Sequence, residues 1–325
     1  IRGNIYNPIF PDIHVCKPDS NNKTFIIIRV PESNVSPHAI DNDSCIYIRT
    51  SDTSHPDRLE KLADTKRIEW LWNRRKKSEE FRDEITMESS FRFQEVMNRV
   101  KNPFEEPTIH LTCTPLFPFS TLISPQQIDH SFLENLEKQG YGRRLPHGIG
   151  VMNKLSIPNG LITNYNTTEY YYYCELNQFG LFSYIESVHK HQIPANTTYP
   201  LPFEYIHISE IFSTIDLYFE SLAEFYEKLN FFGLIKISAF INLKRKNVLG
   251  LISGTNNRDD RYTRNPLDDV HYTRTIEARD FIENRKKITI EALQTISWNI
   301  GFANIDCAQI DEYFRLNGRF IAEKD

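Results

Sequence analysis

Glycine is scarce, at 12 of 325 residues. That argues against a fold strung on many phosphate-cradling loops, which need glycine wherever the backbone closes on an anion. Cysteine is scarce as well. Cys16, Cys45, Cys113, Cys174 and Cys307 are odd in number, far apart and without a Cys-x-x-Cys pair. They read as buried thiols of a reducing cytoplasm, not as a disulfide framework or a zinc knuckle. No run of about 18 apolar residues exists, so no helix is expected to span a membrane. The opening Ile1-Arg2-Gly3-Asn4-Ile5-Tyr6 has neither Met nor a basic-then-apolar signal pattern, and a fragment lacking its upstream part is the expectation. There is no Gly-x-x-x-x-Gly-Lys-Ser/Thr loop, no Gly-x-Ser-x-Gly elbow and no His-Glu-x-x-His helix. Gly140, Gly142, Gly148 and Gly150 cluster without the spacing of a dinucleotide fingerprint.

What is present is a folded composition. Apolar residues make up 40%, charged residues 25% and aromatics 13%, with 22 Phe and 16 Tyr, enough to bury a sizeable core and to exclude a disordered chain. The length suggests about two domains at roughly 150 residues each. The net charge of −5 excludes a protein that coats nucleic acid with its whole surface but allows a local basic patch.

Periodicity divides the chain in three: 1–56, a small β module; 57–103, a helical connector; and 104–325, a C-terminal α+β domain. In the first part, strands are expected at 12–16, 25–31 and 45–50, joined in one sheet with Ile26, Ile28, Ile46 and Ile48 in its core. Asp41 to Ser44 form the turn before the third strand. In the second part, Ser54 is the expected N-cap of a long helix or helix pair, with Leu59, Leu62, Ile68, Leu71 and Trp72 on one apolar face. Pro103 and Pro107 close it. In the third part, a strand is expected at 108–115, a helix opening at Ser124-Pro125 and running to Gly140, and a hairpin of 170–176 with 181–185. A helix follows at 209–232, then a hairpin of 234–243 with 248–252, a strand at 270–282, and helices at 286–300 and 308–316. Strands and helices mix without a βαβ rhythm, so the fold class is α+β.

Several residues could carry chemistry. Lys66, Arg67, Arg74, Arg75, Lys76 and Lys77, with only Glu69 among them, give residues 66–77 a net charge of +5, interleaved by Trp70 and Trp72. Cations beside aromatics suit a phosphate backbone with a stacked base. The alternative is a solvated helix with its tryptophans packed inward and Glu79 and Glu80 pairing Arg75 and Lys76. Lys66, Arg67, Arg74 and Lys77 fall roughly on one side. Arg49 faces away from its apolar strand neighbours beside Tyr47 and could fork a phosphate, or pair with Asp52. Arg29, inside an apolar strand, reads more readily as a buried ion pair with Glu32 or another acid than as a ligand contact. Tyr170 to Tyr173 could be a stacking platform, or an ordinary strand with one pair in the core and one at the surface. His189 and His191 could place two imidazoles on one strand face, as a metal site needs, but solvated loop histidines are far commoner. Asp259-Asp260 and Asp268-Asp269 could hold Mg²⁺, or belong to a solvated loop.

Four short pieces carry a resemblance. Asn7-Pro8-Ile9-Phe10-Pro11, the run Phe25-Ile26-Ile27-Ile28-Arg29-Val30-Pro31-Glu32-Ser33, the corner Ser36-Pro37-His38, and Tyr47-Ile48-Arg49-Thr50-Ser51 together resemble the C-terminal part of the Schlafen AlbA-type domain, over about residues 6–56. The resemblance implies a bacterial, cytoplasmic nucleic-acid-binding or nucleic-acid-processing protein, with anti-phage defence as its setting. The family's glutamate-rich opening and its Asn-Thr-x-Gly-Gly turn do not occur here, so no catalytic residue carries over. If the protein is an enzyme, the resemblance implies a metal-dependent nuclease using Mg²⁺ or Mn²⁺ at an acidic site upstream of this chain. This chain itself is expected to hold no cofactor and, without that site, to show no nuclease activity. The expected partner is RNA or DNA, with a second copy or another subunit meeting 57–103. The rival readings are a non-catalytic assembly subunit and a nucleotide-binding regulator.

Overall fold

The computed structural model describes residues 5–6, 12–16, 24–29, 38–40, 46–49, 60–97, 106–118, 120–140, 143–145, 153–167, 170–193, 203–244, 247–250, 261–263, 269–302 and 305–317. It is α+β, with helices and mostly antiparallel sheets. The chain divides into two compact units, one of residues 1–84 with 117–119, the other of residues 85–116 and 120–325.

The first unit holds β1 (Ile5–Tyr6), β2 (Asp12–Cys16), β3 (Phe25–Arg29), β4 (Ala39–Ile40), β5 (Tyr47–Arg49) and β6 (Glu60–Leu62). It also holds residues 65–84 of α1 (Thr65–Met97). The strands pair as three separate two-stranded antiparallel ladders, β1 with β4, β2 with β3 and β5 with β6. The expectation of one sheet over 12–16, 25–31 and 45–50 is therefore corrected. So is the core assignment of Ile26 and Ile28, while the Ile48 side chain lies outside the described residues. Ile26 and Ile28 are 65% and 53% exposed, and Ile13, Val15, Phe25 and Ile27 are exposed with them. Among the described residues no third strand or helix covers this two-stranded ribbon, and so an apolar run alone does not make a core. Cys16, expected as a buried thiol, is likewise exposed. Ile46 is half-buried. The helix starts at Thr65, not after Ser54. Residues 60–62 are strand, and Asp64 caps the helix, its carboxylate accepting from the Arg67 N–H at 2.8 Å. Ser54 and Leu59 lie outside the described residues, as do Asp41 to Ser44.

The second unit is built on a seven-stranded antiparallel sheet. Its strands are β7 (Thr108–Pro115), β10 (Asn153–Ile157), β11 (Gly160–Asn166), β12 (Tyr171–Asn177), β13 (Phe182–Ser187), β16 (Leu234–Asn242) and β19 (Asp269–Glu277). Their order is β10-β11-β12-β13-β7-β16-β19. Between them in the chain come α2 (His130–Leu136), the ribbon of β8 (Lys138–Gly140) and β9 (Arg143–Leu145), and α3 (Ile208–Lys228). A four-stranded sheet holds β14 (His191–Ile193), β15 (Phe203–His207), β17 (Asn247–Gly250) and β18 (Arg261–Thr263). The chain closes with α4 (Ala278–Glu283), α5 (Arg285–Ile300) and α6 (Cys307–Leu316).

Alternation decides the two faces of the large sheet. On β16, Ile235, Ile237, Ala239 and Ile241 are buried, while Lys236, Ser238, Phe240 and Asn242 point the other way. The first set joins Ile109, Leu111 and Cys113 of β7 and Phe182 and Tyr184 of β13 in the main core, against α3, α5 and α6. Tyr218 of α3 meets Phe182 edge-on and donates its hydroxyl to the Phe182 carbonyl at 2.7 Å. Tyr226 likewise donates to the Gly180 carbonyl at 2.9 Å. The turn between β12 and β13 is tied by Asn177, whose side-chain oxygen accepts from the N–H groups of Phe179 and Leu181. Gly180 there has φ +90, and a Cβ would lie 2.9 Å from Leu122 and Pro115.

The opposite face is covered too. Phe93 and Met97 of α1 pack on Ile162, Tyr171, Tyr173 and Ile185. This corrects both readings of the tyrosine run, because Tyr171, Tyr172 and Tyr173 are all buried and none is a surface platform. Further expectations are corrected by the pairing. The helix opening at Ser124 is only a 3₁₀ turn, Pro125–Gln127, and α2 starts after its own cap, Asp129. β16 pairs with β7 and β19 and makes no hairpin with β17, which lies parallel to β15. The expected strand 270–282 stops at Glu277 and turns into α4.

Candidate nucleic-acid interface

Residues 65–97 contain no proline or glycine, so nothing interrupts the α1 hydrogen-bond ladder. Its half-buried and buried positions include Ile68, Leu71, Arg74, Arg75, Ser78 and Arg82, most of them spaced by three and four as one helix face requires. Ser78 on this line is buried and donates its hydroxyl to the Pro118 carbonyl at 2.5 Å.

The two tryptophans stand off that line. Trp70 is 46% and Trp72 52% exposed, so Trp72 is not part of the apolar stripe as expected. The two flanks differ in charge. Beside Trp72, Arg75 meets Glu79 at 3.4 Å and Lys76 meets Glu80 at 3.8 Å. Those cations are locally balanced, as the solvated-helix alternative anticipated for that side. Arg75 also lies over Phe117, 4.8 Å from the ring centre, and over Trp72 at 5.5 Å.

Beside Trp70 the sign is uniform. Lys66, Arg67, Trp70, Arg74 and Lys77 recur at intervals of three and four and share one flank. Arg67 lies 4.5 Å and Arg74 5.8 Å from the Trp70 ring centre. Lys66, Arg67 and Lys77 are exposed, and among the described residues none of their side chains is ion-paired. The result is a stepped row of cations with an indole between guanidinium groups. Flat guanidinium and indole surfaces are what unstacked bases lie against, and the flanking ammonium groups suit phosphates.

Arg49 sits at the end of β5 opposite Glu60, and Arg29 at the end of β3 opposite Asp12. Both side chains fall outside the described residues, together with Glu32, Asp52 and the pieces Asn7 to Pro11 and Ser36-Pro37. Asp259, Asp260 and Asp268 also lie outside them, while Asp269 is the first residue of β19. His189 is exposed in the irregular segment before β14, as the solvated-loop reading has it, whereas His191 is half-buried within β14. His191 of β14 bonds Glu210 at 2.7 Å, and its ring lies 4.9 Å from that of His189 and 4.5 Å from that of His207. Burial and the neighbouring His191 hold the His207 imidazole below its ordinary pKa. Among the described residues no three His, Cys, Asp or Glu side chains are placed to hold a metal ion, and no helix is long and apolar enough to cross a membrane.

The outward setting of Trp70 was the piece the sequence did not disclose. The spacing of three from Arg67 and four to Arg74 was its only signal. No family model, curated protein or solved structure matches this chain.

Proposed function

We propose that the protein binds nucleic acid, single strands in preference to duplex, through the Trp70 flank of α1. The carrying observation is the half-exposed Trp70 bracketed by Arg67 and Arg74 at 4.5 and 5.8 Å, with Lys66 and Lys77 on the same flank. An exposed indole beside guanidinium groups offers a flat face on which an unstacked base can lie. The exposed Lys66, Arg67 and Lys77 on one helix flank repel one another, and phosphates would neutralise them. The resemblance of residues 6–56 to the Schlafen AlbA-type domain supports the same ligand class, and processing of that nucleic acid in anti-phage defence is proposed on that resemblance alone.

Trp70→Ala tests the reading. Loss of one stacked base costs about 1–3 kcal/mol of binding. Anisotropy of a labelled oligonucleotide should therefore show clearly weaker binding of single strands, with duplex affinity little changed. Equal binding by wild type and variant would overturn the proposal. A change in oligomer mass with no change in affinity would make α1 a protein-contact helix.

A further inference from the structure

A second recess lies entirely within the second unit, between the last turns of α1 and the face of the large sheet that α3 does not cover. Ser90, Phe93, Gln94, Thr108, His110, Tyr171, Ile185, Phe240, Asn242 and Lys244 line a cavity of about 270 Å³. Register explains the grouping. Ile185, His110 and Phe240 are paired across three adjacent strands, and Thr108 stands opposite Asn242 in the next row. Phe93 closes on His110 edge-on at 5.6 Å, and His110 meets Phe240 at 5.4 Å. The walls are thus aromatic and flat.

Three features of these walls point to a ligand. Lys244 lines the cavity and, among the described residues, has no carboxylate partner. It also holds φ +51, a left-handed conformation that a residue with a Cβ adopts at a cost. Its N–H is tied to the Asn242 side-chain oxygen at 3.0 Å, which fixes the turn. A strained position that carries a cation in place of glycine or asparagine suggests that the cation is used. Finally, Tyr171 is 3% exposed and, among the described residues, its hydroxyl has no hydrogen-bond partner. A buried hydroxyl without a partner is destabilising unless a group in the space beside it accepts its hydrogen bond. Burial and the nearby Glu106 raise its pKa, so it remains a donor, while Glu106 itself is engaged by Lys190 at 2.9 Å. Asp269, opposite Asn242 on β19, is not among the lining side chains.

We propose that this recess binds a small monocarboxylate with a flat apolar body, its anion between Lys244 and the Tyr171 hydroxyl and its body against Phe93 and Phe240. The cavity is just below the roughly 300–1,000 Å³ of sites for drug-sized ligands, which suits a small ligand. One lining cation matches one negative charge. His110, held neutral by burial and by Lys244, adds a polar edge without a second charge.

Benzoate is the probe, with benzamide as its uncharged counterpart. Titration of the whole chain, followed by calorimetry and by the imidazole resonances of His110, should show saturable benzoate binding on the order of tenfold tighter than benzamide. Lys244→Asn removes the cation at a position where asparagine accepts the left-handed backbone, so the fold is kept. It should abolish the preference for benzoate. Tyr171→Phe should weaken benzoate severalfold and leave benzamide less affected. Failure of the wild-type chain to bind benzoate saturably overturns the proposal. So do equal affinities for the two probes, and an undiminished preference in Lys244→Asn. The recess and the Trp70 flank lie in different units, so oligonucleotide binding can fail while benzoate binding stands.

Discussion

His110 illustrates how one buried group sets a pH dependence. Desolvation, with a smaller push from Lys244, lowers its pKa from 6.5 to about 4. The unfolded chain therefore holds more protons than the folded one between those values. Stability should fall as pH drops from about 6.5 toward 4, then level off. His110→Gln should flatten that part of the curve in urea unfolding at pH 7 and pH 5, and an unchanged pH slope would contradict the assignment. Glu175 makes the complementary case. It is fully buried, and Arg92 reaches it at 2.6 and 3.2 Å while Tyr173 donates at 2.5 Å. Arg92→Ala leaves that carboxylate buried without its cation. The expected loss is about 3–5 kcal/mol, read from denaturant midpoints. A loss below about 1 kcal/mol would mean the pair is screened like a surface bridge. Neither environment was legible from the sequence, because elements distant in the chain meet in both: Phe93 and Phe240 at His110, and Arg92 of α1 at Glu175.

Among the elements, legibility followed how local the signal was. The helices at 208–228, 285–300 and 307–316 and the strand at 108–115 emerge close to where periodicity puts them, since spacing and flanking Gly or Asn act within the segment. Failures came where a partner decides. The run 25–28 is as apolar as any core strand, yet among the described residues its ladder partner is β2 and it remains exposed. Tyr171 and Tyr173 are buried because Phe93 and Met97 of α1, some eighty residues earlier, cover them. The start of α1 was misjudged because Asp64, not Ser54, caps it. Asp64→Ala should cost about 0.5–2 kcal/mol of helix stability, visible as fraying of the first turn in amide exchange. Normal protection of residues 67–70 in that variant would contradict the cap.

At the scale of the molecule, the class α+β was readable from the mixture of periods, whereas the sheet order was not. Strands β7, β16 and β19, far apart in sequence, complete a sheet begun by the β10–β13 meander, and no local pattern announces that closure. The candidate interface was half readable. Its cations stand out as a run in the sequence, but which of them face water beside Trp70 and which are balanced by Glu79 and Glu80 needed the helix surface. The central claim is that the Trp70 flank meets phosphates. Its most direct test is the salt dependence of oligonucleotide affinity, wild type beside the Lys66→Glu, Lys77→Glu double variant. Both lysines are exposed, and Glu in the first helical turn complements the dipole, so the fold should be unaffected. With three or four phosphate contacts the wild-type log–log slope should be about −2 to −4. The double variant should bring it closer to zero by the share of two contacts and weaken all sequences alike. An identical slope in the double variant would contradict the account, even if absolute affinity fell.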